Sequence, residues 1–219
     1  MPSSAPRNSD MKVLVEICCD GIESARTAAS MGAGRIELCS SLGVGGLTPP
    51  HSEIAAAAAL DTPVNVLVRP REGDFVYSVA EAERMARDIS CCGIAGVAGV
   101  VIGALDRKGN VDLPLCRDLV AIARSYGLSV TFHRAIDASS GIMKALDDVI
   151  LLGADRVLTS GGAVSAFEGR MTIARMVEAA AGRCVVMPGC GITKENAGAI
   201  IDCTGAGEIH GSRLSLLTL

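Results

Sequence analysis

The chain has no tryptophan, two tyrosines and three phenylalanines among its 219 residues. That scarcity removes the aromatic platforms on which nucleic-acid bases stack. No cluster of lysine and arginine makes up for it, and the net charge is −4, so the sequence predicts no nucleic-acid partner. No apolar run reaches transmembrane length without a charge, proline or glycine cluster, which predicts no membrane partner either. Cys-x-x-Cys is missing, which argues against a zinc site of the finger type. Residues 1–11 lack the apolar core of a signal peptide and read as a disordered tail.

What is present is an apolar fraction of 49%. With so few aromatics the core must be built from Ala, Val, Ile and Leu, which suits buried parallel strands faced by Ala-rich helices. The nine cysteines are odd in number and irregular in spacing, and most fall inside apolar patterns. There a free thiol behaves as a small hydrophobe. A chain of this size has no need of disulfides, so the expected compartment is reducing: cytoplasmic, and also nuclear.

From Lys12 onward, strand-like runs alternate with helical stretches. The strands are expected at 12–17, 34–39, 64–69, 99–103, 129–133, 156–160, 184–188 and 207–210. Helical patterns lie near 21–31, 50–60, 79–92, 113–126, 140–152, 165–181 and 193–203, with Ser140 and Thr193 as N-caps. Eight strands joined by right-handed crossovers predict an α/β fold, the TIM (β/α)8 barrel, as one domain over 12–219. After the last strand only Gly211 to Leu219 remain, so the eighth helix must be short or missing. An uncovered strand face favours a homo-oligomer.

Two neighbouring strands end in the same pattern, Glu16-Ile17-Cys18 and Glu37-Leu38-Cys39. Residues two apart share a face of a strand, so side-by-side strands would bring two carboxylates and two thiols to one end of the sheet. In a TIM barrel that end holds the ligand site. The other strand ends add Arg69, with Arg71 and Asp74 in its loop, then His133, Arg134, Thr159, Ser160, Met187 and His210. The opposite ends are expected to be apolar.

Each group has a structural and a chemical reading. Glu16 and Glu37 would either form salt bridges with Arg69 or Arg71, or act as an acid/base pair or hard metal ligands. His133 and His210 would carry protons or bind an anion. Arg69 and Arg71 would clamp a carboxylate or phosphate, unless they merely brace their own loop. Ser160, with Gly189 and Gly191 in the turn after strand seven, lies where TIM barrels hold phosphate.

Several longer stretches carry a resemblance to a known family: Arg35-Ile36-Glu37-Leu38-Cys39, Gly45-Gly46-Leu47-Thr48-Pro49, Arg69-Pro70-Arg71-Glu72-Gly73-Asp74-Phe75, Thr131-Phe132-His133-Arg134-Ala135 and Arg156-Val157-Leu158-Thr159-Ser160-Gly161. Together they resemble the copper homeostasis proteins called CutC, from Val15 to His210. Ile136 departs from the family's usual Phe, and the chain stops short of the usual C-terminal extension. The resemblance implies a TIM barrel, a cytosolic homodimer or homotetramer, and copper handling, with Cys18 and Cys39 as Cu(I) ligands and no organic cofactor. Two thiolates suit soft Cu(I), and Met187 is a candidate third donor. The alternative is an enzyme acting on a small anionic, sugar-like or phosphorylated substrate. Glu16, Glu37 and His133 would then do proton chemistry while Arg69 holds the anion.

Overall fold

The computed structural model describes residues 13–219, so the tail expected at 1–11 lies outside the described residues. Eight strands run Leu14–Asp20 (β1), Arg35–Cys39 (β2), Val64–Leu67 (β3), Gly99–Ile102 (β4), Ser129–Phe132 (β5), Arg156–Thr159 (β6), Val185–Pro188 (β7) and Glu208–Gly211 (β8). Between them lie helices Ile22–Ser30 (α1), His51–Ala57 (α2), Val79–Ala95 (α3), Leu113–Ser125 (α4), Ile142–Leu151 (α5), Ala166–Ala180 (α6) and Lys194–Thr204 (α7). Every ladder is parallel, and the sheet order is β7-β6-β5-β4-β3-β2-β1-β8. The barrel is nearly closed: β7 and β8 are neighbours, but no ladder joins them. The expected short eighth helix is a 3-10 turn, Leu214–Thr218, whose Leu216 is fully buried against the barrel.

Strand alternation sorts the side chains. Ile17, Cys19, Ile36, Leu38, Val64 and Val66 belong to the large core between strands and helices. Cys18, Cys39, Leu67 and Val101 form a separate small cluster, as expected when every second residue points into the barrel. Thr193 caps α7 with Asn196 in a capping box, as its sequence predicts. Ser140 does not cap α5; Gly141 holds the N-cap position.

The ends opposite the mouth are not apolar. Arg35, Arg156 and Glu208 start β2, β6 and β8. Glu208 Oε2 lies 2.5 Å from Arg35 Nη2 and 3.0 Å from Arg156 Nε, while Arg35 Nε also pairs with Glu16. Long side chains at the first inward positions reach across the barrel and close its floor with charge. Burial makes such ions costly unless all are paired, and here they are.

Candidate functional site

The register of β1 and β2 decides what meets at the mouth. Cys18 pairs with Glu37, Asp20 with Cys39 and Glu16 with Arg35. The two Glu-x-Cys patterns are therefore staggered by one inward position. Cys18 Sγ lies 3.4 Å from Glu37 Oε1 and 3.6 Å from Cys39 Sγ, so both thiols and one carboxylate do converge. Glu16 sits deeper, in the ionic floor.

Glu16 is fully buried and bonded to Arg35, to His210 Nδ1 at 2.8 Å and to Asn65 Nδ2 at 3.4 Å. Burial pushes its pKa up, but the hydrogen bond and charge of His210 and the charge of Arg35 outweigh it and hold it at about 2. These partners correct the expectation of a bridge to Arg69 or Arg71. Burial alone would favour neutral His210, yet the charges of Glu37 and Glu16 raise its pKa above the ordinary value. For Glu37 burial dominates and the pKa is raised. Its Oε1 accepts from Cys18, while its buried Oε2 has no partner among the described residues.

The Cys18 thiol is poised as a neutral group. Hydrogen bonding to Cys39, burial and nearby Glu37 hold the Cys18 pKa well above the ordinary range. Cys39 donates to the Cys19 carbonyl at 3.4 Å. Ligand atoms of Cys18, Glu37 and His210 lie within 4.8 Å of one another, a cluster of metal-binding size on three adjacent strands. Met187 is not part of it: its Sδ accepts from Arg35 Nη2 at 3.4 Å, in the floor.

His133 occupies the space that Gly103 leaves open, since a side chain on Gly103 would meet the imidazole at 2.5 Å. Its Nδ1 accepts the Ala135 N–H at 3.1 Å, which places the ring hydrogen on Nε2, a buried atom without a partner among the described residues. Burial and the charge of Arg69 lower its pKa to about 3, so the ring is neutral. Arg69 donates from Nη1 to the carbonyls of Val44 and Gly46 and from Nη2 to that of Gly73. Its guanidinium lies 5.1 Å from the Phe75 ring centroid, and His133 packs on the same ring at 5.1 Å.

Cys18, Glu37, Arg69, His133, Gly191 and His210 all line one cavity of about 730 Å³ at the mouth. Arg71 is engaged elsewhere, by Asp74 at 2.7 Å and Glu81 at 2.6 Å. The Gly189 N–H donates to the Thr159 carbonyl. Ser160 gives both its N–H and its hydroxyl to Asp137, which also accepts from the Gly162 N–H and the Thr159 hydroxyl. Asp137 thus fills the backbone nest that β6 offers to an anion. Arg35, Glu208 and Asn65 carry no mouth motif. Only the alternation Arg35-x-Glu37-x-Cys39 signals that Arg35 shares the inner face.

The model of the CutC family matches residues 13–215. Family protein CutC of Xylella fastidiosa is 48% identical over 218 residues, covering 98% of this chain and 81% of that protein. Family protein CutC of Aliivibrio fischeri is 45% identical over 201 residues, covering 91% and 81%. A crystal structure from Streptococcus agalactiae, of a protein named for copper homeostasis as CutC, superposes with a TM-score of 0.86 at 31% identity, over 92% of this chain and 99% of that one. An aldolase structure at 16% identity and TM-score 0.67 shares the barrel fold alone. With eight parallel strands, a thiol pair at the mouth and a family match across the described barrel, this chain belongs to the CutC family.

Proposed function

We propose that the protein binds Cu(I) at the C-terminal mouth of the barrel through Cys18 and Cys39, in the service of copper homeostasis. The observation that carries this reading is the 3.6 Å approach of the two sulfurs on neighbouring strands, beside an open cavity. Soft, polarisable thiolates favour Cu(I) over hard divalent ions. The name of the related Streptococcus agalactiae structure points the same way. Binding displaces the Cys18 proton, and Glu37 Oε1, already the acceptor of that S–H, is placed to receive it.

Nine free cysteines fit a reducing cytoplasm. No described helix is long and apolar enough to cross a membrane. A homodimer or homotetramer belongs to the same reading, supported by exposed Val164, Phe167 and Met171 at and along α6. The test is an anaerobic Cu(I) competition titration on the wild type and on Cys18→Ser with Cys39→Ser. Tight, stoichiometric binding that disappears in the double variant is expected. Equal binding by both proteins would reduce copper to a visitor of surplus thiols.

A further inference from the structure

Copper binding by two thiols leaves most of the mouth unused. A cavity of about 730 Å³ is far larger than an ion needs and falls within the ~300–1,000 Å³ of small-molecule sites. Arg69 and His133, 6% and 5% exposed, both line it, and each carries a buried donor with no acceptor among the described residues, Arg69 Nε and His133 Nε2. Arg69 uses three of the five N–H groups of a guanidinium on backbone carbonyls. Those bonds fix the group in place without neutralising it, and Arg69 forms no ion pair among the described residues. His133 is a rigid donor, its other nitrogen being occupied by the Ala135 N–H. Both pack on the Phe75 ring, each 5.1 Å from its centroid, and the charge of Arg69 is near enough to act on the imidazole.

The charges around them select among anions. Arg71 is paired with Asp74 and Glu81, and Arg134 with Asp137. The Ser160 and Gly162 N–H groups are occupied by Asp137. Arg213 stands on the exposed rim, in the field of Glu195. Glu37 adds an acid to the same cavity. A phosphate dianion would meet one unpaired buried cation and, after β6, a turn that Asp137 already fills, whereas a monoanion matches the single buried guanidinium without an ion pair among the described residues. Leu42, Leu67, Phe75 and Leu158 give the remaining wall an apolar surface suited to a short carbon chain.

We propose that this cavity binds a small monocarboxylate with an oxygen on the neighbouring carbon, a 2-oxo or 2-hydroxy acid. Arg69 holds the carboxylate and His133 Nε2–H donates to the adjacent oxygen. The site shares its cavity with Cys18 but uses neither thiol and does not depend on copper.

Calorimetric titration of the metal-free protein at neutral pH with pyruvate, acetate and inorganic phosphate tests this. Pyruvate is expected to saturate one site and to bind at least about tenfold tighter than acetate or phosphate. His133→Phe should cost about tenfold for pyruvate and nothing for acetate, while His133→Gln, which keeps an N–H, should recover most of the loss. The Cys18→Ser, Cys39→Ser protein should bind pyruvate like the wild type, which separates this site from the copper reading. Arg69→Met should abolish binding; because Arg69 also braces two loops, the His133 pair keeps the test decisive if that variant fails to fold. Phosphate binding tighter than pyruvate, acetate equal to pyruvate, or no saturable binding would each overturn the proposal.

Discussion

His210 Nδ1 and Glu16 Oε1 lie 2.8 Å apart, joining β8 to β1 inside the barrel. This contact matters because, among the described residues, β8 has no ladder on its other side, where it meets β7. Glu16 is also the acceptor of Arg35, so removing its charge leaves His210 and part of the floor without their anion. Breaking a buried, hydrogen-bonded pair costs about 3–5 kcal/mol. Glu16→Gln should therefore lower unfolding free energy by about 3 kcal/mol in urea titrations. A loss below about 1 kcal/mol would mean that the floor re-pairs through Glu208 alone.

The same pair sets a pH window. Glu16 falls from an ordinary 4.5 to about 2 in the fold, so its contribution is fully present above pH 4.5 and is lost as pH falls from there towards 2. His210 is raised above its ordinary 6.5, so its contribution is full below pH 6.5 and is lost as pH rises through the higher folded value. The melting temperature should peak between these limits and decline on both sides. His210→Asn should flatten the alkaline decline and make the acid one shallower, because His210 is also one of the groups that hold Glu16 low. An unchanged alkaline limb in that variant would show that His210 is neutral in the fold.

The architecture was open to reading because period-two strands and glycine-punctuated helices are local signals: all eight strands overlap the segments where alternation places them, although β1, expected at 12–17, runs on to Asp20. The mouth was legible to the extent that it rests on strand-end residues, as with Cys18, Cys39, Glu37 and His133. The stagger of β1 against β2 was not, because register depends on the sheet around it and no local pattern fixes it. Glu16 was consequently expected beside Glu37, though it meets Arg35 and His210. Arg35, Glu208 and Asp137 were missed as partners for a related reason. Their contacts join residues far apart in sequence, and nothing in the spacing of the chain encodes which charge will fill which vacancy.

Glu37 and Glu16 should respond in opposite ways to the same substitution. Glu37 Oε2 is buried with no partner among the described residues, and burial raises the pKa of the group. Glu37→Gln removes a poorly compensated charge while its amide oxygen still accepts from Cys18. Stability should rise by about 1 kcal/mol in urea titrations. Cu(I) affinity should be retained, since the two thiols hold the ion. Abolished copper binding in this variant would make the carboxylate a ligand and the two-thiol site wrong.

Alkylation separates the thiols of the mouth from those of the surface. The thiolate is the attacking species, so both burial and a raised pKa slow the reaction. Cys91, Cys190 and Cys203 are half-buried, whereas the remaining six are buried. Burial pushes Cys19 to about 11 and Cys92, Cys116 and Cys184 to about 12. Cys18 is held high by Cys39, by burial and by Glu37. Iodoacetamide applied to the native, metal-free protein at mildly alkaline pH should therefore modify Cys91, Cys190 and Cys203 first, as read by peptide mass mapping. Cys18 borders an open cavity yet should stay unmodified until denaturant is added, because access without ionisation does not make a nucleophile. If Cys18 reacted as fast as Cys203, the thiol would be ionised in the fold, and Glu37 could not be the acceptor of its proton.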